Sequence, residues 1–139
     1  MKKSLLLNSE ISSVIAGMGH TDSLTIADAG LPVPDSAKRI DLAVSKGIPS
    51  FKDVLAAVLD ELCIEKVVFA EEIRNANPEG LDEIQDMLVQ YESNTGFKPA
   101  MAFIPHEEFK KLTADSKAVV RTGEVQPYAN IILYSGVTF

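Results

Sequence analysis

Two histidines, several carboxylates and a tyrosine–asparagine pair fall where turns are expected, and these are the side chains that could do chemistry. Gly19-His20-Thr21-Asp22 puts an imidazole directly after an expected helix end. Histidine can give or take a proton near neutrality, yet by position alone a histidine there more often only caps the helix against its last carbonyls. Asp28, in Ile26-Ala27-Asp28-Ala29-Gly30, follows an apolar strand. It could orient a histidine, hold a hydroxyl, or cap the turn. His106 follows Pro105 at an expected helix start, where it could simply be exposed. Tyr128-Ala129-Asn130 lies between Pro127 and an apolar strand. Tyr and Asn are neutral hydrogen-bonding groups suited to sugar hydroxyls, although Asn130 could merely open the strand. Arg121-Thr122-Gly123-Glu124 reads as an ordinary charged turn.

Other chemistries lack their residues. There is no G-x-x-x-x-G-K-[ST] phosphate loop, no G-x-G-x-x-G after a strand and no G-x-S-x-G elbow. His20 and His106 are far apart, with no His-x-His or His-Glu-x-x-His pair, so the spacing supports no metal site. The one cysteine, Cys63, sits between Leu62 and Ile64 and reads as a small hydrophobe rather than a nucleophile. It cannot form an internal disulfide, which fits a reducing compartment.

The elements that must position these residues alternate between helix and strand. Ser9 can cap a helix carrying Ile11, Val14, Ile15 and Met18 on one face, ended by Gly17 and Gly19. Ser50 can cap another, with Val54, Leu55, Val58, Leu59 and Leu62 inward. Asn77 and Pro78 start a third, with Leu81, Ile84, Leu88 and Tyr91 as its apolar stripe. Residues 105–112 form a short fourth helix with Phe109 and Leu112 inward. Strands are expected at 24–27, 39–43, 66–70, 101–104, 118–120 and 130–134. The pattern predicts an α/β fold: one domain over 1–139, three layers α/β/α, with a largely parallel sheet of about six strands. In such sheets ligands bind beyond the carboxyl ends of the strands. That directs attention to Asp28, Glu71-Glu72, His106 and residues 121–130.

Composition narrows the partners. The 139 residues carry 13 Lys+Arg against 20 Asp+Glu, a net charge of −7, which argues against a nucleic-acid backbone or an anionic membrane surface as partner. Hydrophobic residues make up 46%, enough for a packed core. No apolar run approaches the ~20 residues that span a bilayer. Lys2 and Lys3 precede only three leucines, too short for a signal-peptide core, so a cytoplasmic location is expected.

Taken together, several of these segments resemble one family. Gly19-His20-Thr21-Asp22 and Ala27-Asp28-Ala29-Gly30-Leu31-Pro32-Val33-Pro34 resemble the N-terminal signature of the ribose pyranase and fucose mutarotase family. Pro105-His106-Glu107-Glu108-Phe109, Arg121-Thr122-Gly123-Glu124, Pro127-Tyr128-Ala129-Asn130-Ile131-Ile132-Leu133 and the closing Gly136-Val137-Thr138-Phe139 are similar to its C-terminal half. Fucose mutarotases typically read Asp-Ala-His-Phe-Pro after the first strand. Asp28-Ala29-Gly30-Leu31-Pro32 places this chain on the ribose side.

The resemblance implies a cytoplasmic isomerase that interconverts the β-pyranose and β-furanose forms of free D-ribose and supplies furanose to ribokinase. It implies no metal and no cofactor, and a homo-oligomer, a decamer of two pentameric rings, with sites near subunit contacts. By residue matching, His20 would be the catalytic proton donor. Asp28, His106, Tyr128 and Asn130 would line the sugar site, with the backbone of Ala129 between them. His20 would protonate the ring oxygen, while Asp28 would fix either the imidazole or the anomeric hydroxyl. The alternatives are a mutarotase for another sugar such as L-fucose, a sugar-binding module without catalysis, and a structural oligomer whose His and Asp are caps.

Overall fold

The computed structural model describes all 139 residues. Six strands form one sheet: β1 (Ser23–Ala27), β2 (Arg39–Asp41), β3 (Ile64–Ala70), β4 (Ala100–Ile104), β5 (Ala118–Arg121) and β6 (Ile131–Ser135). Their order across the sheet is β2-β5-β1-β6-β3-β4. β1 runs parallel to β5, β5 to β2, and β3 to β4. β6 lies antiparallel to both β1 and β3. The sheet is thus largely parallel around one reversed strand. The cause is the link from β5: residues 122–130 contain no helix, and a parallel return requires a crossover of a dozen or more residues.

Five helices cover the two faces: α1 (Ser9–Gly17), α2 (Phe51–Leu59), α3 (Ile73–Ala76), α4 (Pro78–Thr95) and α5 (His106–Leu112). The layers are unequal. A cluster of 23 buried residues joins α1, α2, α3 and α4 to one face through Ile11, Leu55, Ile73, Ile84 and the strand residues Leu24, Ile26, Val120 and Leu133. Only seven buried residues, centred on Phe109 of α5, pack the other face against Ala27, Val68, Val119 and Ile132.

Local signals decide the helix starts. Asn77 accepts the Gly80 amide at 3.1 Å and Pro78 occupies the first turn, so α4 begins there. Its expected stripe Leu81, Ile84, Leu88 and Tyr91 is buried throughout. Ser50 caps α2 through the Asp53 amide. At α1 the cap is Asn8 rather than Ser9, because the Asn8 side chain reaches the Ile11 amide at 2.9 Å. The short α3 carries no sequence signal beyond Ile73; it folds because that side chain is wholly buried.

Candidate functional site

The turn after β1 is built on one carboxylate. One Asp28 oxygen accepts the Gly30 and Leu31 amides, both at 2.9 Å. The other accepts the Asn130 side-chain amide at 2.8 Å, and the Asp28 amide returns a bond to Asn130 Oδ1 at 2.8 Å. A carboxylate offers about four acceptor positions, so three bonds leave one for a ligand. Asp28 is a fixed acceptor rather than a mobile base. Charged neighbours brace the same turn. Arg121 Nε donates to the Ala29 carbonyl at 3.0 Å, and its Nη1 meets both oxygens of Asp41 at 3.1 Å. Burial pushes the Asp41 carboxyl up, but the Ala43 amide and Arg121 outweigh it and hold the group below the usual carboxylate range. The Ala29 amide donates to the Glu124 carbonyl, while the Glu124 carboxylate gathers the amides of Val125 and Gln126.

His106 opens α5 just beyond β4. Its amide donates to both oxygens of Glu72 at 3.0 Å, and Glu72 itself follows β3. The imidazole stands edge-on to Tyr128, with ring centroids 5.1 Å apart at 88°, and faces Phe109 at 6.3 Å. Its Nδ1 is buried without a partner. Tyr128 has φ +56°, a left-handed conformation that costs a side chain on the order of 1–3 kcal/mol. The fold holds it there by a tight turn from the Asn130 amide to the Tyr128 carbonyl, 2.8 Å, with Ala129 buried between them. Asp28, His106, Tyr128, Ala129 and Asn130 are therefore brought together at the carboxyl end of the parallel strands. A cleft of about 410 Å³ opens beside them, lined by Asp28, Gly30, Glu124, Gln126 and Pro127. Another groove of about 300 Å³ lies between α2 and α4 and holds none of these residues.

His20 lies elsewhere. It precedes β1, whereas Asp28 follows it, so the five residues of β1 place roughly 17 Å of strand between them. Within one chain Asp28 does not reach His20. The imidazole closes no helix either: α1 is capped by Met18, whose amide donates to the Ile15 carbonyl, and His20 Nε2 meets Glu65 Oε2 at 2.8 Å instead. The His20 turn is itself firmly built. The Asp22 carboxylate accepts the Gly19 amide at 2.9 Å and pairs with Lys117 at 3.2 Å. These two contacts, the amide first, hold the Asp22 carboxyl below its ordinary range.

Sequence reasoning singled out the positions of Glu72 and Arg121 without a role, and it missed Glu65. The available signal was the adjacent pair Glu65-Lys66 between Ile64 and Val67, which breaks the alternation of a strand. No group of three or more His, Cys, Asp or Glu side chains lies close enough to hold a metal ion.

Residues 1–138 match the RbsD/FucU transport protein family. The chain belongs to that family. Proteins similar to it include a D-ribose pyranase of Haemophilus influenzae, 55% identical over 139 residues and the full length of both chains. A D-ribose pyranase of Aliivibrio fischeri is 52% identical, again over both full lengths. Among solved structures, Bacillus subtilis RbsD complexed with D-ribose superposes with a TM-score of 0.90 at 45% identity, covering all of both chains. A fucose mutarotase of Streptococcus pneumoniae in complex with L-fucose shares the fold, with a TM-score of 0.82 at 23% identity.

Proposed function

We propose that this chain is an isomerase that interconverts the β-pyranose and β-furanose forms of free D-ribose. The observation that carries the reading is the 55% identity to a D-ribose pyranase across the whole of both chains. The strand-end cluster fits it chemically. Opening a hemiacetal needs a proton delivered to the ring oxygen and one removed from the anomeric hydroxyl, and acid–base catalysis of this kind supplies ~10²–10⁴ in rate. The open aldehyde turns about a carbon–carbon bond, and the 4-hydroxyl closes in place of the 5-hydroxyl. In this reading Asp28, His106, Tyr128 and Asn130, with the Ala129 backbone, hold the sugar hydroxyls, and His20 is the proton donor.

Since His20 and the Asp28 cluster stand at opposite ends of β1, the reading requires a homo-oligomer. One subunit offers the cluster and a neighbour brings His20 to it. A ring-shaped assembly, such as a decamer of two pentameric rings, repeats that contact around its circumference. We place the reaction in the cytoplasm, ahead of a kinase that takes the furanose.

Proton saturation transfer on equilibrated D-ribose, with and without the protein, tests the activity. Faster pyranose–furanose exchange that disappears in His20→Ala is the expected result. Unchanged exchange with saturable ribose binding would make the chain a binding module, and acceleration of L-fucose exchange alone would move it to the mutarotases.

A further inference from the structure

β3 carries an irregularity at its first turn of ladder. Ile64 pairs with Ser135 and Lys66 with Tyr134, so Glu65 is an extra residue with no partner on β6. This is a β-bulge, a device that re-aims one side chain and flips the strand's alternation. The flip is visible in the core: Ile64, Val67 and Phe69 all pack into the larger cluster, although Ile64 and Val67 are three residues apart. The side chain that the bulge re-aims is Glu65, and it meets His20 Nε2 at 2.8 Å.

The surroundings make room for this contact and fix its other half. Gly136 faces the bulge, where an added Cβ would come within 3.2 Å of Glu65 Cβ. Thr21, next to His20, has φ +68°, the left-handed region that side chains other than glycine rarely enter. It is locked there by Thr21 N to Ser135 O at 2.9 Å and Ser135 N to Asp22 O at 2.8 Å. Ser135, the residue opposite the bulge, therefore clamps the His20 turn as well. An exposed ion pair contributes little to stability, and this one is half exposed on both sides, at 54% and 43%. Stability does not account for a bulge, a glycine and a strained threonine converging on one contact.

We propose that Glu65 is a positioning residue for His20: its carboxylate holds Nε2–H and leaves Nδ1 as the nitrogen that exchanges a proton with the sugar. This rests on the reading of His20 as proton donor. In the ring-opening step the bond from C1 to the ring oxygen breaks, and its electron pair goes to that oxygen, which takes the Nδ1 proton of the imidazolium. The anomeric hydroxyl gives its proton to water as C1 becomes a carbonyl. Closure reverses both transfers: the 4-hydroxyl returns a proton to Nδ1, and the carbonyl oxygen regains one from water. Throughout, Nε2 stays on Glu65, which fixes tautomer and ring orientation as a carboxylate does for catalytic histidines.

The test combines kinetics with imidazole NMR on the full-length protein. The chain has only two histidines, so His20→Ala assigns the ring signals directly. At a pH where the ring is neutral, wild-type His20 should show widely separated ring ¹⁵N shifts, the signature of a single Nε2–H tautomer. In Glu65→Ala the separation should narrow toward that of a free histidine side chain. In the same variant kcat for ribose exchange should fall about 10–100-fold, the usual cost of losing an orienting partner, with KM changing less than twofold. Glu65→Gln, which keeps an acceptor oxygen, should recover part of both. Wild-type kcat and unchanged ring shifts in Glu65→Ala, with His20→Ala inactive, overturn the role of Glu65 and leave the proton donor standing. Wild-type exchange in His20→Ala overturns both.

Discussion

Asn130 is 1% exposed and trades two hydrogen bonds with Asp28, one through each end of its amide. Truncation to alanine strands the Asp28 amide and one carboxylate oxygen in a part-buried turn. Each unsatisfied group costs ~1–3 kcal/mol, so Asn130→Ala should lower stability by that order as well as weakening ribose binding. Urea unfolding measures the first effect and ribose titration the second; a binding loss with unchanged stability would mean that Asn130 acts on the sugar alone. At the other end of the strand, the Asp22 carboxyl should titrate below 3.8, because the Gly19 amide and then Lys117 favour its charged form. Its contribution to stability is therefore complete above 3.8 and is lost as pH falls through the lowered value. Carboxyl ¹³C titration of wild type and Lys117→Ala checks this, with the variant's midpoint expected higher. At this scale the sequence disclosed residue types and turn positions, and the family resemblance supplied roles. The pairing of His20 with Glu65 was not legible, because a one-residue bulge decides which way Glu65 points.

Elements were more readable than contacts. The stripe of α4, its Asn77-Pro78 start and the Ser50 cap of α2 follow from spacing and capping chemistry, and the structure has them. The reversed β6 was missed because strand direction is a property of the connection, and the telling feature was a nine-residue link without a helical period. That link is also where the sheet meets the site. Gly123 donates its amide to the Pro49 carbonyl and accepts the Gly47 amide, so two loops lie backbone to backbone. A Cβ on Gly123 would stand 2.4 Å from the Ile48 carbonyl oxygen and 2.5 Å from that of Ser45. Neither is the flexible end of a side chain, so Gly123→Ala should cost ~1–3 kcal/mol by overpacking. The displaced loop carries Glu124 and leads to Tyr128, so ribose affinity should fall too. Thermal unfolding at wild-type temperature would show that the 45–48 turn yields without cost.

For the whole molecule, the decisive fact is that the candidate residues occupy both ends of one sheet. Asp28, His106, Tyr128 and Asn130 stand at the carboxyl ends of the parallel strands, with His20 and Glu65 at the amino ends. If a neighbour supplies His20, two different inactive variants should repair each other. His20→Ala subunits still carry an intact cluster, and His106→Gln subunits still carry an intact donor. After unfolding together and refolding at equal amounts, random assembly should pair a good cluster with a good donor at about a quarter of the contacts. Ribose exchange should then recover to about a quarter of the wild-type rate. Each variant refolded alone should stay inactive, and so should the two mixed without subunit exchange. A co-refolded mixture as inactive as its parts would show that no site is shared between subunits. His20 and the Asp28 cluster, at opposite ends of β1 within one chain, could not then serve one sugar, and the reading of His20 as its proton donor would fall.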